Sequence, residues 1–485
     1  MPVLNQDVWT DKLYSGGWRD ASVILDVTEP ATGEVLTSVG EATADDVAEA
    51  VERAEAAQRE WKATKFDDRA TILRRAAAII EENADELRDW IVRETGGTRP
   101  KAGFELHVAT SELHEAAGML SAPYGQLLPT EYAGRLSFTR RIPYGIVGVI
   151  SPWNFPLILS IRSVAPALAV GNAVVLKPDP NTPVAGGFLI AAALEQAGLP
   201  DGVLHVLPGD AETGEAIVDH PQIPMISFTG STEVGRKVGE RAGRRNTHVA
   251  LELGGNNALI VLEDADIDAA SSAGAWGSFM HQGQICMTTG RHLVHERLVG
   301  DYLSMLTKRA ENLPMGDPFR EDVAIGPLIN ATQMDRVDGI VKDSVSAGAR
   351  LETGGRGDGL FYRPTVLSAV SPAMRAFQEE IFGPVAPILT FSDEEEAIAL
   401  ANASDYGLTA AIQTRSMEHG LRVAEQIRAG MVHINDSTID DEAHVPFGGI
   451  GASGNGSRFG GQANWEEFTV SQWVTVRDQQ HEFPF

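Results

Sequence analysis

The chain has 485 residues, of which 43% are hydrophobic and 22% charged, and it carries a formal charge of −28. That length supports two large domains with more than one core, and the composition is that of a globular protein. The acidic balance argues against a nucleic-acid partner, which needs a basic face. No apolar stretch is long and clean enough to cross a bilayer, and the first residues lack a basic segment followed by an apolar one. The expectation is a cytoplasmic enzyme or binding protein with no membrane partner.

Residues 1–40 read as short strands and turns, with Gly16-Gly17 and Pro30-Ala31-Thr32-Gly33 as turn chemistry. Thr43 before Asp45 and Asp46 marks a helix start, with Val47, Val51, Ala54 and Trp61 near helical spacing behind it. A second helix follows Asp67-Asp68, with Ile72, Leu73, Ala76, Ile79 and Ile80 inward, and a third covers 101–120. Residues 121–142 are polar and turn-rich and leave the domain as an excursion of β-arm character. From 145 the pattern changes. Strands at 145–150, 173–177, 203–207, 225–229 and 249–253 alternate with helices at 162–170, up to Ala197, 211–219 and 231–242. This alternation predicts a doubly wound parallel sheet. It resumes at 258–261 and continues to about 435, so the fold class is α/β with two doubly wound domains. Near the C-terminus, 468–476 alternates like a strand.

Cys286 is the only cysteine. One sulfur cannot form an intrachain disulfide or a multi-thiolate metal site, so no metal is expected. What remains is a structural thiol, an intermolecular bridge or a nucleophile. Three other segments carry candidate chemistry. Gly230-Ser231 lies between a strand and a helix, where unpaired N–H groups suit a pyrophosphate, although an ordinary helix cap explains it equally. The usual G-x-G-x-x-G fingerprint is absent there. Asn154 follows a strand in Pro152-Trp153-Asn154-Phe155-Pro156 and could donate to an oxyanion, or simply form a turn. Glu252, between leucines and followed by Gly254-Gly255, is a desolvated general base or a structural hydrogen-bond acceptor.

Taken with Leu176-Lys177-Pro178, Gly283-Gln284-Ile285-Cys286, Glu379-Glu380-Ile381-Phe382-Gly383-Pro384 and Pro446-Phe447-Gly448-Gly449, these runs follow a known order and spacing. The chain resembles the aldehyde dehydrogenase superfamily over nearly its whole length. The resemblance implies a Rossmann-like dinucleotide-binding domain (1–120 and 143–251), a catalytic domain (252–465), and an oligomerisation arm (121–142 and 466–485). It implies Cys286 as nucleophile, Asn154 and the Cys286 amide as oxyanion hole, and Glu252 as base. Lys177, Gly230, Ser231, Glu380, Phe382 and Trp153 would hold NAD or NADP. A homodimer or homotetramer is implied as well. His281, though close to the nucleophile, has no catalytic counterpart in the family and is given a structural part.

The departures bear on specificity. Pro180 stands where the family often has an acid that receives the adenosine ribose, so NADP as well as NAD becomes plausible. Asn256 replaces a common lysine, for which the sequence offers no reason. Phe155, Leu159, Ile285 and Phe447 would line the substrate pocket, with Arg162 near its mouth, a lining suited to a flat or hydrophobic aldehyde. The runs His433–Thr438, His444–Gly449 and Gly454–Gly461 resemble the benzaldehyde and vanillin dehydrogenase branch. The implied reaction is NAD(P)-dependent oxidation of an aromatic aldehyde to its acid. The alternatives are an aliphatic or semialdehyde dehydrogenase of the same mechanism and a non-catalytic binding relative.

Overall fold

A computed structural model describes residues 3–480 and 482–485. Its framework is two seven-stranded sheets. In the first, Ile146–Ile150 lies at the point where the strand order reverses. Ala173–Lys177 and Leu204–Val206 extend the sheet to one side, and Met225–Thr229 and His248–Glu252 extend it to the other, all parallel. Lys12–Ser15 and Trp18–Asp20 close one edge in antiparallel fashion. The second sheet runs Thr365–Ser368, Val385–Phe391, Thr289–His295, Asn257–Val261, Thr409–Gln413 and Met431–Ile434 in parallel, with Arg350–Thr353 antiparallel at its edge. The central strands are continuous apolar runs buried on both faces, which is what helix-covered parallel sheets require. The two-domain α/β reading therefore holds.

Thr43 caps the Ala44–Ala63 helix through a reciprocal capping box with Asp46. The expected helix at 162–170 begins six residues earlier and spans Pro156–Ala169. Pro156 sits in the first turn, where its missing N–H costs nothing, and the Leu157 N–H donates to the buried Glu105 carboxylate (2.7 Å). That earlier start is what brings Phe155 and Leu159 to the site. A helix at Ala84–Thr95 was not foreseen. It is separated from Phe66–Glu82 by Asn83 alone, so there is no turn sequence to announce it, although Gly96 ends it in the left-handed conformation (φ 65°).

The excursion forms a separate antiparallel sheet. Gly125–Leu127 pairs with Arg135–Pro143, which pairs along its length with Thr469–Arg477. The arm strands thus satisfy one another within the chain, and Thr469–Arg477 keeps its outer edge open. Val470, Trp473 and Val476 are exposed on it. No helix among the described residues is long and apolar enough to cross a membrane.

Candidate active site

The two sheets meet end to end. The first presents the carboxyl ends of its strands, at Ser151–Asn154, Gly230–Ser231 and Glu252, and the crevice opens beside the strand-order reversal, where open α/β sheets bind ligands. The second presents the amino ends of its strands, so that Asn257, Cys286 and the Glu380–Pro384 turn face the same crevice. The chain crosses from one sheet to the other between Glu252 and Asn257, through Gly254 and Gly255. A Cβ at Gly255 would overlap the Cys286 carbonyl, and one at Gly254 would overlap the Glu380 carboxylate. The crossover is therefore glycine because both neighbours press on it.

Cys286 sits on a tightly tied turn. Gln282 donates from Nε2 to the Gly96 carbonyl (2.7 Å), and the Gln284 Oε1 accepts from the Ile329 N–H (3.0 Å). Asn257 Nδ2 donates to the carbonyls of Cys286 and Thr288, both at 2.8 Å. His281 and Gln282 adopt left-handed backbone angles, with φ of 47° and 57°. Such strain persists only where the surroundings fix it, and here it delivers the thiol into the crevice. Asn154 Nδ2 donates one hydrogen to the Gln284 carbonyl (2.9 Å), which locks the amide beside Cys286 and leaves its second N–H for a ligand.

Burial, together with the fields of Glu380 and Glu252, pushes the Cys286 thiol up to about 12, against the opposing field of Arg162. The Glu252 carboxyl is buried, and neither oxygen makes a well-formed hydrogen bond. Desolvation drives its pKa well above the carboxylate range, outweighing Arg162, Arg458 and a weak Gly449 amide contact. Desolvation thus raises both groups, and the Glu252 charge adds to the rise at Cys286.

Asn154, Phe155, Leu159, Arg162, Ile285, Cys286 and Phe447 all line one cavity of about 410 Å³. Phe104, Trp276 and Met287 extend its apolar wall, and sequence reasoning did not name them. Arg162 is not at the mouth. It is 4% exposed, packs over the Phe447 ring at 4.3 Å, and pairs with both Glu112 (3.3 Å) and Asp441. His281 also lines the cavity, edge-on to Phe155 at 5.4 Å, and burial holds it neutral.

The remaining candidates are not among the residues that line that cavity. Trp153 and Phe382 meet edge to face at 5.4 Å, and Phe382 is itself left-handed (φ 56°). Glu380 accepts from the Gly255 N–H (2.8 Å), and desolvation lifts it to about 7. The Ser231 oxygen caps the Thr232–Gly243 helix by accepting from the Val234 N–H, so its own O–H is free to donate. Lys177 donates to the Gly209 carbonyl (2.7 Å), and burial lowers its pKa against the opposing fields of Asp179, Asp210 and Glu41. Those three acids were not identified from sequence. A dinucleotide fits this set: an open helix N-terminus after Gly230 for phosphate, and a buried lysine and a partly desolvated carboxylate for hydroxyls. Asn256 now has a role, since its Nδ2 bridges to the Phe377 carbonyl (2.6 Å) and ties the crossover to the segment that carries Glu380.

The aldehyde dehydrogenase family model matches residues 18–474. The chain is 53% identical to a vanillin dehydrogenase of Amycolatopsis over the full length of both. It is 52% identical to an NAD(+) benzaldehyde dehydrogenase of Pseudomonas putida over 99% of each. Among solved structures it is similar to a salicylaldehyde dehydrogenase from Pseudomonas putida G7 complexed with salicylaldehyde, at 36% identity and a TM-score of 0.95, covering 98% of this chain and 99% of that one. The chain belongs to the aldehyde dehydrogenase family.

Proposed function

We propose that the chain oxidises aryl aldehydes to carboxylic acids, with NAD as the preferred hydride acceptor. The observation that carries this is a thiol placed at the end of a cavity walled by Phe155, Phe447, Phe104 and Trp276. The relatives named for vanillin, benzaldehyde and salicylaldehyde support the same substrate class.

In this reading Cys286 passes its proton to solvent water and its sulfur adds to the aldehyde carbon, and the second Asn154 N–H and the Cys286 amide receive the oxyanion. Bound nicotinamide dinucleotide supplies the acceptor for the hydride that leaves that carbon. The resulting thioester stays on Cys286 until Glu252 takes a proton from water, whose oxygen bonds to the acyl carbon; the carbon–sulfur bond then breaks, and the proton held by Glu252 passes to the departing thiolate, giving acid and thiol. Glu252 suits this because desolvation raises its basicity toward the working pH. Trp153, Phe382, Glu380, Lys177 and the Gly230–Ser231 turn are assigned to cofactor binding.

A charged semialdehyde is disfavoured, since the Arg162 guanidinium is already bound by two acids. The open edge of Thr469–Arg477, with its exposed apolar residues, supports at least a homodimer in which that strand extends a sheet to a second copy. One reduced cysteine suits the cytoplasm. The test is to follow reduced nicotinamide with benzaldehyde, vanillin, hexanal and succinic semialdehyde in turn. The aryl aldehydes should give the higher kcat/KM, and a preference for succinic semialdehyde would overturn the reading. Light scattering should give at least a dimer at micromolar concentration, and a monomer would remove the assembly proposal.

A further inference from the structure

Glu252 ends His248–Glu252, the edge strand of the first sheet. Residues 453–458 run along the open side of that strand. The Leu253 N–H donates to the Ser453 carbonyl (2.9 Å), and Asn455 accepts from the Leu251 N–H (3.1 Å) and donates to the Val249 carbonyl (2.7 Å). Arg458 ends this segment. Its Nη1 donates to the carbonyls of Gly449 (3.0 Å) and Ser457 (2.8 Å), while Phe447 and Phe459 exchange backbone hydrogen bonds beside it. The turn that Arg458 holds contains Gly448. A Cβ there would stand 2.7 Å from Glu252 Oε1 and 2.9 Å from Arg458 Cδ, so the carboxylate and the guanidinium stem flank the open face of one glycine. Arg458 is half-buried and, among the described residues, has no carboxylate partner, since its hydrogen bonds go to neutral carbonyls. Arg162, the other cation that acts on Glu252, is already shared by Glu112 and Asp441.

We propose that Arg458 is a positioning residue for Glu252, holding the Gly448–Gly449 turn against the carboxylate and supplying an uncompensated positive charge that keeps it available as the base of thioester hydrolysis. The proposal rests on the reaction set out above and adds a residue to its second step. A fixed charge beside a buried group acts more strongly than it would in water. The charged and titratable groups around Glu252 are Arg458, Arg162 with its two acids, Cys286, and Glu467, which is bound by His248 (2.7 Å) and Ser457 (3.2 Å). Burial raises the Glu252 pKa and Glu467 adds to the rise, whereas Arg162 and Arg458 oppose it. Without the Arg458 charge, less of the carboxylate is ionised at a given pH, and less of it can take a proton from water. The effect runs through Glu252 alone, which separates it from a general loosening of the site.

The experiment follows the decay of the benzoyl thioester on Cys286 after a single turnover with benzaldehyde and NAD, by acid quench and mass spectrometry across a range of pH. A first-order decay constant does not depend on how much active protein is present, so partial loss of folding does not mimic the effect. Arg458→Gln should slow the decay about tenfold near neutral pH, and raising the pH by about one unit should restore the wild-type rate. Arg458→Lys keeps the charge and should stay within about threefold of the wild type with the same pH dependence; it serves where the glutamine variant does not fold. Adding Arg458→Gln to Glu252→Gln should change the decay by less than about twofold, because the group through which Arg458 acts is already gone. A decay in Arg458→Gln that overlays the wild type at every pH, a tenfold loss in Arg458→Lys, or a further tenfold loss in the double variant overturns the role of Arg458 and leaves Glu252 as base. A thioester that decays as fast in Glu252→Gln as in the wild type removes Glu252 as base, and the proposal for Arg458 falls with it.

Discussion

The two sheets contribute to one crevice from opposite strand ends, and the contrast sorts the chemistry. The first sheet brings carboxyl ends, with the open backbone of a helix N-terminus after Gly230 and the Asn154 amide after Ile146–Ile150. These are rigid donors suited to phosphate and to an oxyanion. The second sheet brings amino ends, and with them turns rather than helix dipoles: the strained His281–Gln282 turn behind Cys286, and the left-handed Phe382 after Glu380. Glu252 closes the last strand of the first sheet, and four residues carry the chain to the first strand of the second. The candidate donors thus come chiefly from the first sheet and the candidate nucleophile, Cys286, from the second, so disturbing either should have a different kinetic effect.

The largest effect is expected at the nucleophile. Cys286→Ala should fall below ~1% of wild-type turnover, because no other thiol exists to carry the acyl group. Cofactor binding, measured by fluorescence quenching, should stay near the wild-type level, since Trp153, Lys177, Gly230 and Ser231 all follow strands of the first sheet. Loss of both together would mean that the two sides are not separable.

Glu252→Gln should come next, with a drop of roughly two to three orders of magnitude in steady-state turnover. Stopped-flow traces should keep a burst of reduced nicotinamide close to one per site, followed by a slow phase. A burst slowed as much as the steady state would move Glu252 into the acylation step.

The pH dependence is a smaller effect with a fixed sign. Burial raises the pKa of both Cys286 and Glu252, and the proposed reaction uses the deprotonated form of each. Turnover should therefore climb from pH 6 toward pH 9, by about tenfold. A decline across that window would contradict the assignment.

Cofactor choice should show the smallest change. Pro180 neither bonds a ribose hydroxyl nor repels a 2′-phosphate, but Asp179, Asp210 and Glu41 make the surroundings of Lys177 acidic. NAD should exceed NADP in kcat/KM by less than about two orders of magnitude, and Pro180→Glu should widen the gap. Absolute NAD specificity in the wild type would show that the acids already present do the excluding.

How much of this could be read from the sequence depended on whether the signal was local. Cys286, Asn154, Glu252 and the Gly230–Ser231 turn stand in short runs whose spacing carries the family likeness, so they were named. The apolar walls at Phe155, Leu159, Ile285 and Phe447 were named for the same reason. Asp441 was not, because what distinguishes it is its contact with Arg162, 279 residues earlier in the chain. Glu112 was missed likewise, and Arg162 was misplaced at the mouth because its ion pairs are tertiary. The early start at Pro156 was obscured because Asn-x-Pro is commonly a turn, and the capping acid Glu105 comes from another helix. The arm strands were visible as alternation, but their mutual pairing was not, since register is a property of two distant segments.

In the proposed reaction Cys286 carries the acyl group from hydride loss to hydrolysis, and Glu252, at the end of the first sheet, serves the second of these steps. The direct measurement is mass spectrometry of Glu252→Gln, quenched in acid after a single turnover with benzaldehyde and NAD. The peptide containing Cys286 should gain the mass of one benzoyl group, in an amount matching the burst of reduced nicotinamide. An unmodified Cys286 peptide alongside a full burst would contradict it.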